Sequence, residues 1–226
     1  MGSLANDIIG CRACPRLVAY AAEVRESGRK PGFAAGDYWC RPVPSFGSRD
    51  AWLLIVGLAP GTHGAGRTGR PFTGDYAGIL LYQTLYDLGL ASSPVSESAD
   101  DGLELLGCRI TNAVRCVPPQ NKPVGAEINQ CRPYLIEELN AVPRGGVLLA
   151  LGKIAHDQVI RALGLRVAAY KFGHGAEHAL PSGLRLVDSY HCSRYNTNTR
   201  RLTAVMFEQV MRRARDLSAQ AATTSS

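Results

Sequence analysis

Three features of the chain concentrate residue types that can do chemistry. The first is the stretch GLAPGTHGAGRTGRPFTGD at 57–75, with six glycines and one carboxylate, Asp75. It lacks the Gly-Lys-Ser/Thr ending of a Walker A loop and does not fit G-x-G-x-x-G. Glycine permits positive φ and lets a ligand touch the main chain. Gly57, Gly61, Gly64, Gly66, Gly69 and Gly74 can therefore cradle a phosphate, a sugar or a flat base. Pro60 and Pro71 stiffen the stretch. Asp75 opens a helical pattern, where a carboxylate is either an N-cap or a catalyst. The sequence alone leaves both open.

The second feature is SYHCSRYNT at 189–197, which follows an apolar run and is dense in hydrogen-bond donors. His191 falls at the strand end, beside Ser193 and Asn196. Asn112 closes another apolar run, where a side-chain amide can bond both the donor and the acceptor edge of a base. His174, in FGHGAEH, is a weaker candidate, and His63 and His156 read as surface residues. The third feature is cysteine spacing. Cys11 and Cys14 form a C-x2-C turn, and Cys116 and Cys131 bracket a proline-containing loop. Four thiolates so spaced suit an iron–sulfur cluster or a zinc ion; two unrelated thiol pairs are the third reading. Cys108 sits in an apolar run and reads as a core thiol.

The elements that must position these residues alternate. Apolar runs at 52–56, 106–114, 146–151 and 184–189 predict strands; helical periodicity predicts helices near 75–89, 124–140, 152–163 and 200–217. Such alternation means βαβ units and an α/β domain, a four-stranded, mainly parallel sheet flanked by helices on both faces. Residues 15–50 read as an irregular lead-in. One domain is expected over 1–217, with a frayed tail at 218–226. Ligands of such sheets bind beyond the carboxyl ends of the strands, which brings 57–75, 112–123, the start of 152–163 and 190–199 to one rim.

Bulk composition is that of a soluble globular protein: 226 residues, 46% hydrophobic and 19% charged. No run approaches the ~18 apolar residues of a membrane span. A cytoplasmic location is expected, and the seven cysteines are accordingly not read as disulfides. The net charge of +6 permits a polyanionic partner. Arg200, Arg201, Arg212, Arg213 and Arg215 cluster in the last helical pattern, as nucleic-acid binding would require.

Taken in order, CRACPRL, YWCRPVPSFG, GLAPGTHGAGRTGRPFTGD, AVRCVPPQNKP, ALGKIA, FGHGA and SYHCSRYNTNTRRLT resemble the uracil-DNA glycosylase superfamily, closest to its family 5. The resemblance runs from Cys11 to about Arg213. It implies a [4Fe–4S] cluster on Cys11, Cys14, Cys116 and Cys131, anchoring the N-terminal segment; Cys40 and Cys192 fall outside the ligand set. It implies a partner, DNA containing uracil or another deaminated base, acted on by a monomer associated with the nucleoid. A base inside a duplex must be flipped out to be reached. Asp75 and His191 are then the catalytic pair. Gly57, Ala59, Gly61, Phe72 and Asn112 meet the base, Phe72 by stacking. Arg67, Asn121, Lys122, Ser193, Arg194, Asn196 and Arg201 meet the DNA, with 193–199 as a wedge. No lysine falls in 57–75 or 190–199, and Lys153 reads as structural or as a phosphate contact. A monofunctional glycosylase without a lyase nucleophile follows. The alternatives are a glycosylase that also takes hypoxanthine and xanthine, and a non-catalytic iron–sulfur DNA-binding module.

Overall fold

The structure, a computed structural model, describes residues 3–224. The strands are β1 (Phe46–Gly47), β2 (Leu53–Gly57), β3 (Cys108–Asn112), β4 (Val147–Leu151), β5 (Glu177–Ala179) and β6 (Arg185–Ser189). The helices are α1 (Leu4–Gly10), α2 (Pro15–Glu26), α3 (Ala65–Thr68), α4 (Tyr76–Asp87), α5 (Gly125–Ala141), α6 (Lys153–Ala162), α7 (Arg194–Asn198) and α8 (Ala204–Thr224). One six-stranded sheet runs β1-β3-β2-β4-β6-β5. Its four central strands are parallel; β1 and β5 are antiparallel edges. The four expected strands are thus the centre of a sheet of six. The two edges are only two and three residues long, too short to leave a period in the sequence.

β2 and β4, LLIVG and VLLAL, are buried along their whole length, as strands covered on both faces must be. Leu81, Leu85, Phe207 and Met211 of α4 and α8 pack on one face. Leu135, Leu139, Val159 and Ile160 of α5 and α6 pack on the other. Register aligns the strand ends: Gly57 stands beside Asn112, and Leu151 beside Ser189. The motifs that follow those residues share one rim.

Four expectations need correction. The lead-in is helical at its start: Pro15 occupies the first turn of α2, where its missing N–H costs nothing. Arg16 makes a two-pronged ion pair with the buried Glu127 at 2.7 and 2.8 Å, and Glu127 also accepts from Val124 N–H at 2.9 Å, capping α5. That pair pins α2 to α5. The last helix, expected over 200–217, is α8 at Ala204–Thr224, and it continues through residues 218–224 where a frayed tail was expected; a separate short helix, α7, precedes it.

His156, expected at the surface, is wholly buried. Its Nδ1 lies 2.8 Å from Asp188 Oδ1 and its Nε2 lies 3.0 Å from Tyr170 C=O. Both partners are acceptors, so the ring donates from both nitrogens and is an imidazolium. Burial opposes that charge, but the hydrogen bond to Asp188 and its negative charge prevail and raise the pKa. With His178 this is the cluster, among the described residues, whose three ligand-type atoms lie within 4.8 Å of one another. An imidazolium has no lone pair for a metal; the cluster is an ion pair joining α6 to β6. Among the described residues no helix is long and apolar enough to cross a membrane.

Candidate active site

A cavity of about 300 Å³ opens at the carboxyl ends of β2 and β3, within the usual range for small-ligand sites. Leu58, Ala59, Pro60 and Ala65 give it apolar walls, and Phe72, Asp75, Asn112 and His191 line it. It adjoins a groove of about 850 Å³, with Gly61, Asp75, Ala77, Asn121 and Ser193 lining both. Asp75 therefore stands where a deep pocket meets an open track.

Backbone geometry explains the glycines. A Cβ on Gly57 would lie 2.3 Å from Asn112 Oδ1 and 2.8 Å from the Phe72 ring. The bare strand end lets those two side chains close over it. Phe72 is held at φ 55, a conformation unusual for an aromatic residue and a mark of a site the fold over-determines. Its carbonyl comes so near Gly78 that a Cβ there would sit 1.7 Å from the oxygen. Gly66 packs on Val117: a Cβ there would approach its methyl to 2.4 Å.

Asp75 divides its oxygens. Oδ1 accepts from Gly78 N–H at 3.0 Å and caps α4. Oδ2 turns to the glycine loop, 3.4 Å from where a Gly61 Cβ would be. Burial raises its pKa, opposed by the Gly78 and Ala77 N–H groups and by the Lys30 charge. His191 stacks with Phe72, centroids 5.9 Å apart. Burial drives its pKa down to about 4, so near pH 7 it is a neutral imidazole with one N–H to give. Its carbonyl accepts from Asn196 Nδ2 at 2.8 Å. Asn112 is buried, and its Oδ1 has no hydrogen-bond partner among the described residues. An orphan buried acceptor costs ~1–3 kcal/mol until something donates to it.

Gly57, Ala59, Gly61, Phe72, Asp75, Asn112 and His191 thus come together. Asn121, Ser193 and Arg194 line the groove. Arg194 lies 4.8 Å over the Tyr76 ring, and Ser193 caps α7, so 193–199 is mostly a short helix. Others sit apart. Asn196 is spent on the His191 main chain, Arg67 lies on the Phe33 ring outside the groove, and Arg201 lies over Tyr190. Lys122 is exposed beyond the groove. Sequence reading missed Tyr20 and Lys30, which line the groove from the lead-in, and His63, half-buried there and 2.8 Å from Tyr38 Oη. No motif marks Tyr20 or Lys30; only the docking of α2 brings them in. Tyr195 is also exposed beside Arg194.

The four cysteines Cys11, Cys14, Cys116 and Cys131 line one small cavity between α2, α5 and the segment after β3. Burial and the other thiols raise Cys116 to about 12. Arg115, completely buried, lies against them, its N–H 3.3 Å from Cys131 Sγ.

A family profile described as "Uracil DNA glycosylase superfamily" matches residues 44–215. The chain belongs to the uracil-DNA glycosylase superfamily. Within this superfamily it is 49% identical to a "Type-5 uracil-DNA glycosylase" of Thermus thermophilus, over 93% of this chain and 95% of that protein. A protein of the same description from Pyrobaculum aerophilum is 44% identical over 92% and 89%. One from Mycobacterium tuberculosis is 46% identical over 92% and 78%. The glycosylase superfamily match runs from residue 44 to residue 215, so it takes in the rim segments and Cys116 and Cys131, but not the α2 side of the groove.

Proposed function

We propose that this protein is a monofunctional uracil-DNA glycosylase that hydrolyses the N-glycosidic bond of a flipped uracil and so initiates base excision repair. The observation that carries the reading is the orphan Asn112 Oδ1 inside an aromatic-walled cavity with Asp75 at its mouth. An imide N–H is the donor this acceptor lacks, and uracil presents one. Phe72 stacks on the base, and the apolar walls exclude water.

As the C1′–N1 bond breaks, its electron pair leaves with the base. His191, neutral and half-buried, donates its N–H to the base oxygen on which that charge gathers. A donor so placed is worth ~3–4 kcal/mol by analogy with oxyanion holes. Asp75, ionised, faces the sugar, which has become electron-poor. It stabilises that positive charge, orients water toward C1′, and takes the proton the water releases. Arg194, Asn121 and Lys30 line the groove that receives the flanking backbone, and phosphate contacts of that kind set register more than sequence. Lys30 is an exposed amine, suited to a phosphate rather than to a Schiff base.

The four cysteines fit a [4Fe–4S] cluster. The donor set is all thiol, Glu127 nearby being engaged by Arg16. Mutual repulsion among the four thiols, which helps raise Cys116, is relieved by the positively charged iron core such a cluster would bring. When bound, the cluster supplies a cross-link among α2, α5 and the segment after β3, and no chemistry at the base.

The deciding experiment incubates the protein with an oligonucleotide carrying one uracil, with and without alkali. Breakage only after alkali is expected. Breakage without alkali refutes the monofunctional reading, and none in either case, with DNA still bound, leaves a binding module. A parallel hypoxanthine strand measures breadth, with uracil expected to be cut faster and Asn112→Ala to narrow the difference. Iron and sulfide in equal amounts are expected in the purified protein; stoichiometric zinc would refute the cluster.

A further inference from the structure

His174 belongs to neither the cavity nor the groove, yet it lies against the residue preceding His191. Its Nδ1 accepts the Tyr190 main-chain N–H at 3.1 Å. Its ring stacks on the Tyr190 ring, centroids 5.0 Å apart and planes 20° apart, while the Arg201 guanidinium lies 4.6 Å over that ring. The Met206 main chain of α8 also acts on the imidazole, favouring its protonated form. Tyr190 is thus held through its ring and through its N–H.

We propose that His174 is a positioning residue for the glycosylase reaction, holding the Tyr190 peptide, and through it the His191 imidazole, in register with the base cavity. The inference rests on the function proposed above. His191 is fastened on its C-terminal side by the Asn196 side chain at 2.8 Å. Gly152, at the head of α6, closes from below: a Cβ there would be 3.4 Å from His191 Cβ. His174 completes the cradle on the N-terminal side. A donor works only when aimed within a few tenths of an ångström, so a slack peptide one residue away costs rate rather than substrate affinity.

The role demands one protonation state. Nδ1 must keep its lone pair, because a protonated ring would set N–H against N–H. The titratable side chain stacked on His174 is Tyr190, just past β6, and the charged group over that same tyrosine ring is Arg201, ahead of α8; the contribution from α8 is main chain. Burial lowers the His174 pKa, with the Met206 hydrogen bond opposing, and this keeps the required neutral form in place near pH 7.

The test uses the full chain with its metal content intact, and reads single-turnover excision of uracil together with DNA affinity. At pH 7.5 His174→Ala is expected to slow excision at least tenfold with Kd within about threefold. His174→Asn, whose Oδ1 stands where Nδ1 stood, is expected to recover the rate to within about threefold. NMR of the wild-type protein reads the link directly: as His174 titrates, the Tyr190 amide and the His191 ring resonances are expected to shift with the same midpoint. An Asn variant as slow as the Ala variant, or His191 resonances unmoved through the His174 titration, overturns the proposal. Should the wild-type protein excise no uracil, the glycosylase reading fails, and the NMR titration alone decides the positioning claim. If His174→Ala does not fold, His174→Asn and the titration decide it.

Discussion

Asp75 offers the sharpest perturbation, because its two oxygens do different work. Oδ1 caps α4 at 3.0 Å from Gly78 N, while Oδ2 faces the glycine loop at the cavity mouth. Asp75→Asn keeps an Oδ1-like acceptor and removes only the charge. Asp75→Ala removes both. If the charge stabilises the electron-poor sugar, either substitution forfeits it, at ~3–4 kcal/mol by analogy with other preorganised charges, a loss of ~10²–10³ in rate.

Stability separates the two variants. Loss of an N-cap costs ~1 kcal/mol, a fall in Tm of ~2–4 °C for a chain of this size. Burial raises the Asp75 pKa above its unfolded value, so the ionised carboxylate lowers stability at neutral pH rather than adding to it. Asp75→Asn is then expected to melt at or slightly above the wild-type temperature, and Asp75→Ala below Asp75→Asn by the value of the cap. Single-turnover excision of uracil and a thermal melt on the same samples read both quantities. The wild-type rate should fall as pH drops through the raised Asp75 pKa, and the Asn variant should lack that dependence. An Asn variant within about threefold of wild type would refute the catalytic role and leave Asp75 a cap.

Other expectations follow from single contacts. Gly78→Ala adds about 1 kcal/mol of helix propensity, but its methyl would meet the Phe72 carbonyl at 1.7 Å. Overpacking of that kind costs ~3 kcal/mol, so the variant should melt lower and lose base stacking together. Asp188→Asn strands the His156 imidazolium in the core and should cost ~3–5 kcal/mol in a denaturant titration. Because the folded His156 pKa lies above its unfolded value, the pair's contribution is complete below about pH 6.5. It fades as pH rises through the folded value, and a wild-type stability profile without that decline would contradict the pairing. Arg194→Ala should reduce the slope of log Kd against log salt by about one, equally for uracil-containing and ordinary duplexes. Loss confined to uracil strands would place Arg194 at the base.

Much of the fold was legible because parallel strands buried on both faces must be apolar throughout, and β2 and β4 are. The edges β1 and β5 left no period to find. Histidines were read worst. A histidine on a helix with polar neighbours looks solvated, and only the spatial approach of Asp188 and the Tyr170 carbonyl reveals His156 as a buried cation. The rim residues Phe72, Asp75, Asn112 and His191 were legible because each ends or follows a strand. Their roles depend on approach distances no spacing encodes. That Arg67 and Arg201 sit outside the groove was not legible for the same reason: composition names a cation but not the ring it settles on, Phe33 or Tyr190.

Whether Asp75 was a cap or a catalyst turns on which backbone amides its carboxylate meets. Gly78 must be glycine so that α4 can start directly beneath the Phe72 carbonyl, and that start fixes where Oδ1 is held. With Oδ1 tethered, the carboxylate cannot rotate away, and Oδ2 is aimed at the loop whose glycines leave room for it: a Cβ on Gly64 would overlap it at 2.4 Å. The cap therefore supplies the orientation, and burial of the same group raises the energy of the charge that acts on the sugar. Capping and catalysis are one arrangement, in which part of the stability a helix start offers is spent on holding an anion where substrate will need it.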